Sequence, residues 1–176
     1  DGSFDGAGHT ISGLIINRSG ESYVGLFGYV SDGAFKRARL STAMIENVTL
    51  TNVTVGGSEH VGGLVGYSTA AVKDAAVTGT INGPDSVGGL VGLNRYDGVI
   101  ARTSAAGSVA GTKLVGGLVG DNRGTILRSY ATGGVTGSET EVGGLVGQST
   151  GTLKQSYATG AVTGAGVGDC LSGRTG

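Results

Sequence analysis

Apolar residues in this chain recur in short runs, none of which keeps helical spacing for more than a turn or two. Each run holds a few Val, Leu or Ile residues and is bounded by Gly, Ser, Thr or Asn, which favour turns. Runs of this length and composition are typical of short β-strands. The pattern therefore predicts an all-β protein built from many short strands.

One run, VGGLVG, occurs four times and sets a period. Its copies begin at Val61, Val87, Val115 and Val142, so they lie 26, 28 and 27 residues apart, and a shorter relative, VGLFG, occupies 24–28. A propeller blade of four strands usually needs about 40 residues or more. A period near 27 residues instead suits one coil of a solenoid.

Aliphatic residues recur at the same period and form three columns. In a solenoid, each residue of a column lies over its copy in the next coil, at the ~4.8 Å spacing of paired strands. We therefore expect a parallel β-solenoid of about five to six coils, with these columns inside. The columns are Ile45, Val72, Ile100, Ile126 and Leu153; Val55, Ile81, Val109, Val135 and Val162; and Leu64, Leu90, Leu118 and Leu145.

Glycine makes up 38 of the 176 residues, which excludes an ordinary helical bundle. In a coil, glycine suits corners, where φ is positive or backbones approach closely. We expect the corners at Gly66, Gly92, Gly120 and Gly147.

The whole chain, 1–176, is expected to form one solenoid domain. Residues 29–44 lengthen one coil by about ten residues and predict a protruding loop that carries Lys36, Arg37 and Arg39. Residues 165–176 read as an atypical or truncated terminal coil. The chain starts without Met or a leader, which favours a fragment of a longer surface protein.

Charge and cysteine content exclude several classes of partner. With 12 basic and 13 acidic residues, the net charge is −1. The chain therefore has no excess of positive charge that would attract a nucleic acid. The single cysteine, Cys170, cannot form an internal disulfide. No apolar run reaches the roughly 18–20 residues that span a bilayer, so we expect no membrane insertion of this segment.

Motifs for catalysis or cofactor binding are missing from the sequence. His9 and His60 lack the spacing of metal ligands, and VGGLVG is not followed by the Lys and helix of a phosphate-binding loop. We expect no catalytic residue, cofactor or metal, with calcium at the turns near Asp1 and Asp5 left open.

Asp74 and Arg102 form the best polar constellation, in a column with Asn47, Arg128 and Gln155. A β-helix polysaccharide lyase or hydrolase would need such groups in one groove. The simpler interpretation is an exposed ion pair between neighbouring coils.

Outward columns supply the candidates for partner binding. Tyr130 should lie over Tyr157, where the pair can stack on a sugar or cover the sheet. Threonines recur in two further columns and are candidates for ice or partner binding. Strand alternation would also turn the Val residues of VGGLVG outward unless the glycines host a bulge, leaving an apolar stripe for a partner to cover. The candidates are Tyr130, Tyr157, Thr132, Thr159, Thr136, Thr163, Val91, Val119 and Val146, the stripe continuing through Phe27 and Val65.

The repeats VGGLVG, SYATG and VTG resemble the GLUG motif, and residues 1–30 are similar to the coil that introduces such arrays. The resemblance implies a right-handed parallel β-helix within a large secreted or cell-surface bacterial protein of the adhesin or haemagglutinin type. It supplies no catalytic residues.

We therefore expect a non-catalytic, extracellular structural or adhesive module. Its partner would be a protein or glycan on a surface, flanking domains or other copies of itself. A carbohydrate-active β-helix enzyme, similar to polysaccharide lyases, and an ice-binding protein are the alternatives.

Overall fold

A computed structural model describes residues 2–31 and 43–164, together with the backbone of a strand at 172–175. These residues form strands and turns without a helix, so none of them belongs to a helix that could cross a membrane. The predicted all-β class is confirmed. Asp1, the three cations of the 29–44 loop, Cys170 and most of the predicted terminal coil lie outside the described residues.

Many short strands and a few long ones make up the described chain. They are β1 (Ser3–Ser12), β2 (Ile15–Asn17), β3 (Phe27–Val30), β4 (Met44–Gly56), β5 (Glu59–Gly62), β6 (Val65–Ser68), β7 (Ala71–Gly88), β8 (Val91–Asn94), β9 (Val99–Ala101), β10 (Ser104–Ala105), β11 (Ser108–Gly116), β12 (Val119–Asn122), β13 (Thr125–Leu127), β14 (Tyr130–Ala131), β15 (Val135–Gly137), β16 (Val142–Gly143), β17 (Val146–Ser149), β18 (Thr152–Lys154), β19 (Tyr157–Ala158), β20 (Val162–Gly164) and β21 (Ser172–Thr175).

Strands pair in parallel with their counterparts in the coils before and after. A large sheet of fifteen strands runs from β18 through β13 and β9 to β7 and onward to β1. A small sheet contains six strands in the order β21, β17, β12, β8, β6, β3. The chain is therefore a β-solenoid, as predicted, and the four turns that carry VGGLVG follow one another at the period of about 27 residues.

The predicted interior columns are confirmed. Val55 pairs with Ile81, and the column continues through Val109 and Val135 to Val162. The Ile45 column is likewise continuous to Leu153. All their members are buried except the last of each column, which is half-buried. The leucines of VGGLVG are fully buried and follow one another from coil to coil.

Corners of the coil are formed by side-chain-bearing residues, so the predicted glycine corners are wrong. Gly66, Gly92, Gly120 and Gly147 lie within strands of the small sheet and have no positive φ. Two other columns occupy the left-handed region instead, with φ of 49–64°. They are Asn47, Asp74, Arg102, Arg128 and Gln155, and Tyr23, His60, Ser86, Leu114 and Glu141.

Val91, Val119 and Val146 do not form an outward stripe, because all three are fully buried together with Val65. The stripe prediction assumed one straight strand, but Gly-Leu forms a bend between the two sheets. At this bend, Leu118 and Val119 both donate their N–H groups to the carbonyl of Leu145, at 2.9 and 3.1 Å. Strand alternation stops there, so the Leu and Val side chains both turn inward.

The small-sheet glycines are needed because the two sheets touch through their backbones. A Cβ on Gly120 would lie 2.5 Å from the carbonyl carbon of Ser86 and 2.6 Å from the nitrogen of Val87. Gly92 and Gly147 meet the backbone of the preceding coil in the same way. The prediction of close backbone approach at these glycines is therefore confirmed, although they are not corners.

Replacing Gly120 with Ala should destabilise the solenoid, since backbone atoms must move to admit the methyl group. We expect G120A to lower the free energy of unfolding by at least about 1–3 kcal/mol, as overpacking does. Urea denaturation followed by circular dichroism measures it. Gly134→Ala is the control, because its nearest atom would be 3.9 Å away. Equal stability of the two variants would contradict the close approach.

Candidate functional site

Asp74 and Arg102 lie in the corner column of the large sheet, in neighbouring coils. Nε of Arg102 donates to Oδ1 of Asp74 at 2.7 Å, and Nη2 donates to Oδ2 at 2.6 Å. Both side chains are more than one third exposed. Arg128 similarly donates to Gln155 at 3.1 Å. The column therefore consists of polar side chains that bond from coil to coil.

Electrostatics at this pair do not resemble those of a general acid. The hydrogen bonds from Arg102 lower the pKa of Asp74, and they raise the pKa of Arg102. A carboxyl that gives up a proton in glycoside cleavage needs a raised pKa instead. The geometry is that of an exposed ion pair, which supports the simpler interpretation of this column.

Arg102→Gln should raise the pKa of Asp74 toward the ordinary value of about 3.9. In the native chain this pKa is lowered, so the pair stabilises the fold above about pH 4 and loses that contribution as the pH falls through the lowered pKa. An NMR titration of the Asp74 carboxyl carbon measures both proteins. Arg128→Gln, in the same column, is the control and should leave the Asp74 titration unchanged; an unchanged titration in R102Q would contradict the assignment.

Tyr130 and Tyr157 stack on the large sheet, as predicted. The two residues pair directly between β14 and β19, and their rings lie 5.3 Å apart at an angle of 8°. Both are exposed. The predicted threonines, Thr132, Thr159, Thr136 and Thr163, are exposed as well, and the last two pair directly between coils. Whether this surface binds a partner stays a prediction.

A second group of tyrosines, which the sequence analysis missed, lies at the small sheet. Tyr29 in β3 pairs with Tyr67 in β6, and their rings stack at 4.5 Å and 10°. The ring of Tyr23 is perpendicular to both. The guanidinium carbon of Arg95 lies 6.0 Å from the ring centre of Tyr67 and 5.2 Å from that of Tyr96. We call these four tyrosines and Arg95 the tyrosine patch.

A signal for this patch exists in the sequence. Tyr29 follows VGLFG and Tyr67 follows VGGLVG directly, so both occupy the same repeat position. The insertion at 29–44 places them 38 residues apart, which hides their register. Tyr23 directly precedes VGLFG and so shares the repeat position of His60, whereas Tyr96 lies in the turn between β8 and β9.

Polar groups border the patch on its inner side. His60 lies 5.3 Å from the Tyr23 ring, and burial lowers the pKa of His60. Asp121, which follows Leu93 in the strand column of Tyr29 and Tyr67, is buried and pairs with Arg123 at 2.8 Å. Within the described residues, Nδ1 of His60 and Oδ1 of Asp121 are buried without a hydrogen-bond partner.

In the part of the chain that the structure describes, no three His, Cys, Asp or Glu side chains are grouped as metal ligands. The sequence analysis left open a calcium ion near Asp5. In the structure, the Asp5 carboxylate accepts hydrogen bonds from the Asn47 side chain and from the Ala7 amide.

A family model described as the GLUG motif matches residues 57–82 and 138–163. The chain carries GLUG motifs. The two matches contain the VGGLVG copies at Val61 and Val142, and the unmatched copies between them have the same structure. The structural repeat therefore continues through the coils between the two matches.

Among curated proteins, halomucin from Haloquadratum walsbyi (strain DSM 16790 / HBSQ001) is 43% identical over 106 residues, which is 60% of this chain and 1% of halomucin. Among solved structures, one described as a "putative immunoglobulin A1 protease" from Bacteroides ovatus has a TM-score of 0.75 at 22% identity. It aligns with 93% of this chain, which spans about half (52%) of that protein. At this identity the likeness concerns the fold alone.

Proposed function

We propose that this GLUG array is a non-catalytic, extracellular module of a larger protein, which presents side-chain ladders to a partner and holds other parts of that protein apart. The observation that carries the proposal is the exposed stack of Tyr130 on Tyr157, with exposed threonines beside it in the same two coils. A stack of this kind offers a flat, repeated surface without the convergent acid and base that catalysis needs.

Rigidity of the scaffold supports this role. The interior columns are continuous from coil to coil, and each coil between the first and the last described one is hydrogen-bonded to both neighbours. Six stacked strands at ~4.8 Å extend roughly 25 Å along the axis. A side chain on such a stack keeps its position relative to its copies, so several weak contacts can act together.

Secretion or display at the cell surface is part of the proposal. It is supported by the match to halomucin and by the GLUG matches, because the resemblance to this motif implies a large secreted or cell-surface protein. The likeness to the Bacteroides ovatus protein carries no catalytic assignment to this chain, because it concerns the fold. The best polar constellation, Asp74 with Arg102, is an exposed pair with a lowered carboxyl pKa.

Ice binding has less support than adhesion. The threonine column that includes Thr136 and Thr163 is interrupted by Ala110 and Asn82. Thr132 and Thr159 likewise follow Ala106 in their column. An ice-binding surface would need a longer regular array than two coils provide.

Beads coated with the chain should be retained under flow on surfaces bearing immobilised porcine gastric mucin or glycan-array oligosaccharides. The double variant Y130L/Y157L should lose most of this retention, since it removes both stacked rings. Thr152→Ala, an exposed change in β18, is the matched control and should be retained like the native chain.

The same protein should leave polygalacturonate and immunoglobulin A1 intact. Turnover of polygalacturonate that disappears in Asp74→Asn would contradict the proposal and favour the lyase-like alternative. Equal retention of native and Y130L/Y157L beads would remove the adhesive role from this surface.

A further inference from the structure

We infer that the tyrosine patch is a binding site for a neutral saccharide, with a pyranose ring seated on the outer face of Tyr29. The inference rests on the proposed function and adds a second site and a ligand class to it. Its starting point is the geometry of the three rings of Tyr23, Tyr29 and Tyr67.

Among the described residues, Tyr67 covers one ring face of Tyr29 and no aromatic ring stacks on the other. β3 is the last strand of the small sheet among the described residues, and Tyr29 stacks on Tyr67 on its inner side. Tyr23 lies 6.0 Å from Tyr29 and 5.7 Å from Tyr67, with its ring perpendicular to both. These nearly equal distances place Tyr23 beside the stack and not on top of it. The outer face of Tyr29 is therefore uncovered by Tyr23, and Tyr29 is 58% exposed.

The platform is held in place before any ligand arrives. Tyr29 and Tyr67 are fixed by strand pairing, and Tyr23 packs against His60 as well as against the two rings. Arg95 lies near the rings of both Tyr67 and Tyr96, at distances typical of cation–π contacts. A prearranged site loses little conformational entropy on binding, which favours a small ligand.

The size of the patch favours a sugar over a protein. Tyr23, Tyr29 and Tyr96 are 45%, 58% and 66% exposed. At about 200 Å² per tyrosine, they present roughly 300–400 Å². A stable protein interface needs about 800 Å² on each side. A few pyranose rings, whose C–H faces stack on aromatic rings while their hydroxyls bond to the rim, suit the smaller area.

The charge of the surroundings favours a neutral sugar over an acidic one. Arg123 is paired with Asp121, and Glu59 and Asp85 lie close enough to act electrostatically on the neighbouring His60. Among the described residues, Arg95 is then outweighed by Glu59 and Asp85. An anionic polysaccharide or a phosphate would meet no excess of positive charge from these described side chains.

Isothermal titration calorimetry with cellopentaose, maltopentaose and chitopentaose tests the inference on the full chain. At least one of these neutral oligosaccharides should bind saturably. Tyr29→Leu, which keeps apolar area but removes the flat ring, should weaken binding at least about tenfold, equivalent to ~1.4 kcal/mol. Tyr29→Phe keeps the ring and should stay within about threefold of the native affinity, about 0.65 kcal/mol.

Two controls make the result specific. Thr152→Ala, outside both tyrosine stacks, should leave the calorimetric affinity unchanged, and circular dichroism should show that each variant keeps the strand signal. Oligogalacturonate serves as the anionic probe. Binding of oligogalacturonate alone, binding that survives Tyr29→Leu, or no binding of any neutral oligosaccharide would each overturn the inference.

The outcome is separable from that of the proposed function. Bead retention that is lost in Y130L/Y157L, together with absent calorimetric binding, would leave the adhesive module in place and remove the saccharide site. Calorimetric binding that is lost in Tyr29→Leu, together with retention unaffected by Y130L/Y157L, would keep the saccharide site and move adhesion to the small sheet.

Discussion

Parallel hydrogen bonding between successive coils is the interaction on which the rest of the structure depends. It brings residues about 27 positions apart in sequence next to each other, so like residues stack on like. The N–H of Leu118 donates to the carbonyl of Leu145 in the next coil, and both side chains lie in the interior. On the outer surface, Tyr130 stacks on Tyr157. Polar residues stack in the same way, since Nδ2 of Asn94 donates to Oδ1 of Asn122 at 2.8 Å in the buried face of the small sheet.

Glycine allows the backbones of the two sheets to approach each other closely enough for the coil to form. The large and small sheets meet backbone to backbone at the VGGLVG bend, where a Cβ would collide with the coil before it. Each glycine costs about 0.5–1 kcal/mol of conformational entropy relative to alanine. Burial of a Val or Leu contributes about 1.5–3 kcal/mol, and the columns of buried aliphatics offset the cost only because every coil has neighbours to pack against.

The repeat explains both which features the sequence predicted and which it missed, because a period shows which residues stack but not how the backbone turns. A period is visible in one sequence, so the solenoid and its interior columns were predictable down to Val55 over Ile81. Backbone direction at a bend is not visible in a residue pattern. The left-handed corners at Asp74 and Arg102 carry ordinary side chains, and the inward turn of Val119 depends on a bend that strand alternation does not encode.

One part of the candidate site was predictable from the repeat and the other part was not. The stack of Tyr130 and Tyr157 follows from an uninterrupted period, whereas an insertion separates Tyr29 from Tyr67. Their partners Tyr23 and Arg95 lie just outside the strands, where the repeat does not show which way a side chain turns. The two stacks lie on different sheets. The coil therefore holds two aromatic surfaces at a fixed separation, which is the geometry that the proposed binding role needs.

Distances between spin labels along one outward column test the in-register coil most directly. In a Cys170→Ser background, one label stays at Asn82 and the second is placed at Ala110, Thr136 or Thr163, which pair in succession. Dipolar electron paramagnetic resonance should show label separations that rise with each step along the column, as the backbone spacing of about 4.8 Å per coil requires. A separation that stays level or falls as the second label moves one repeat further would contradict the stacked coil and everything built on it.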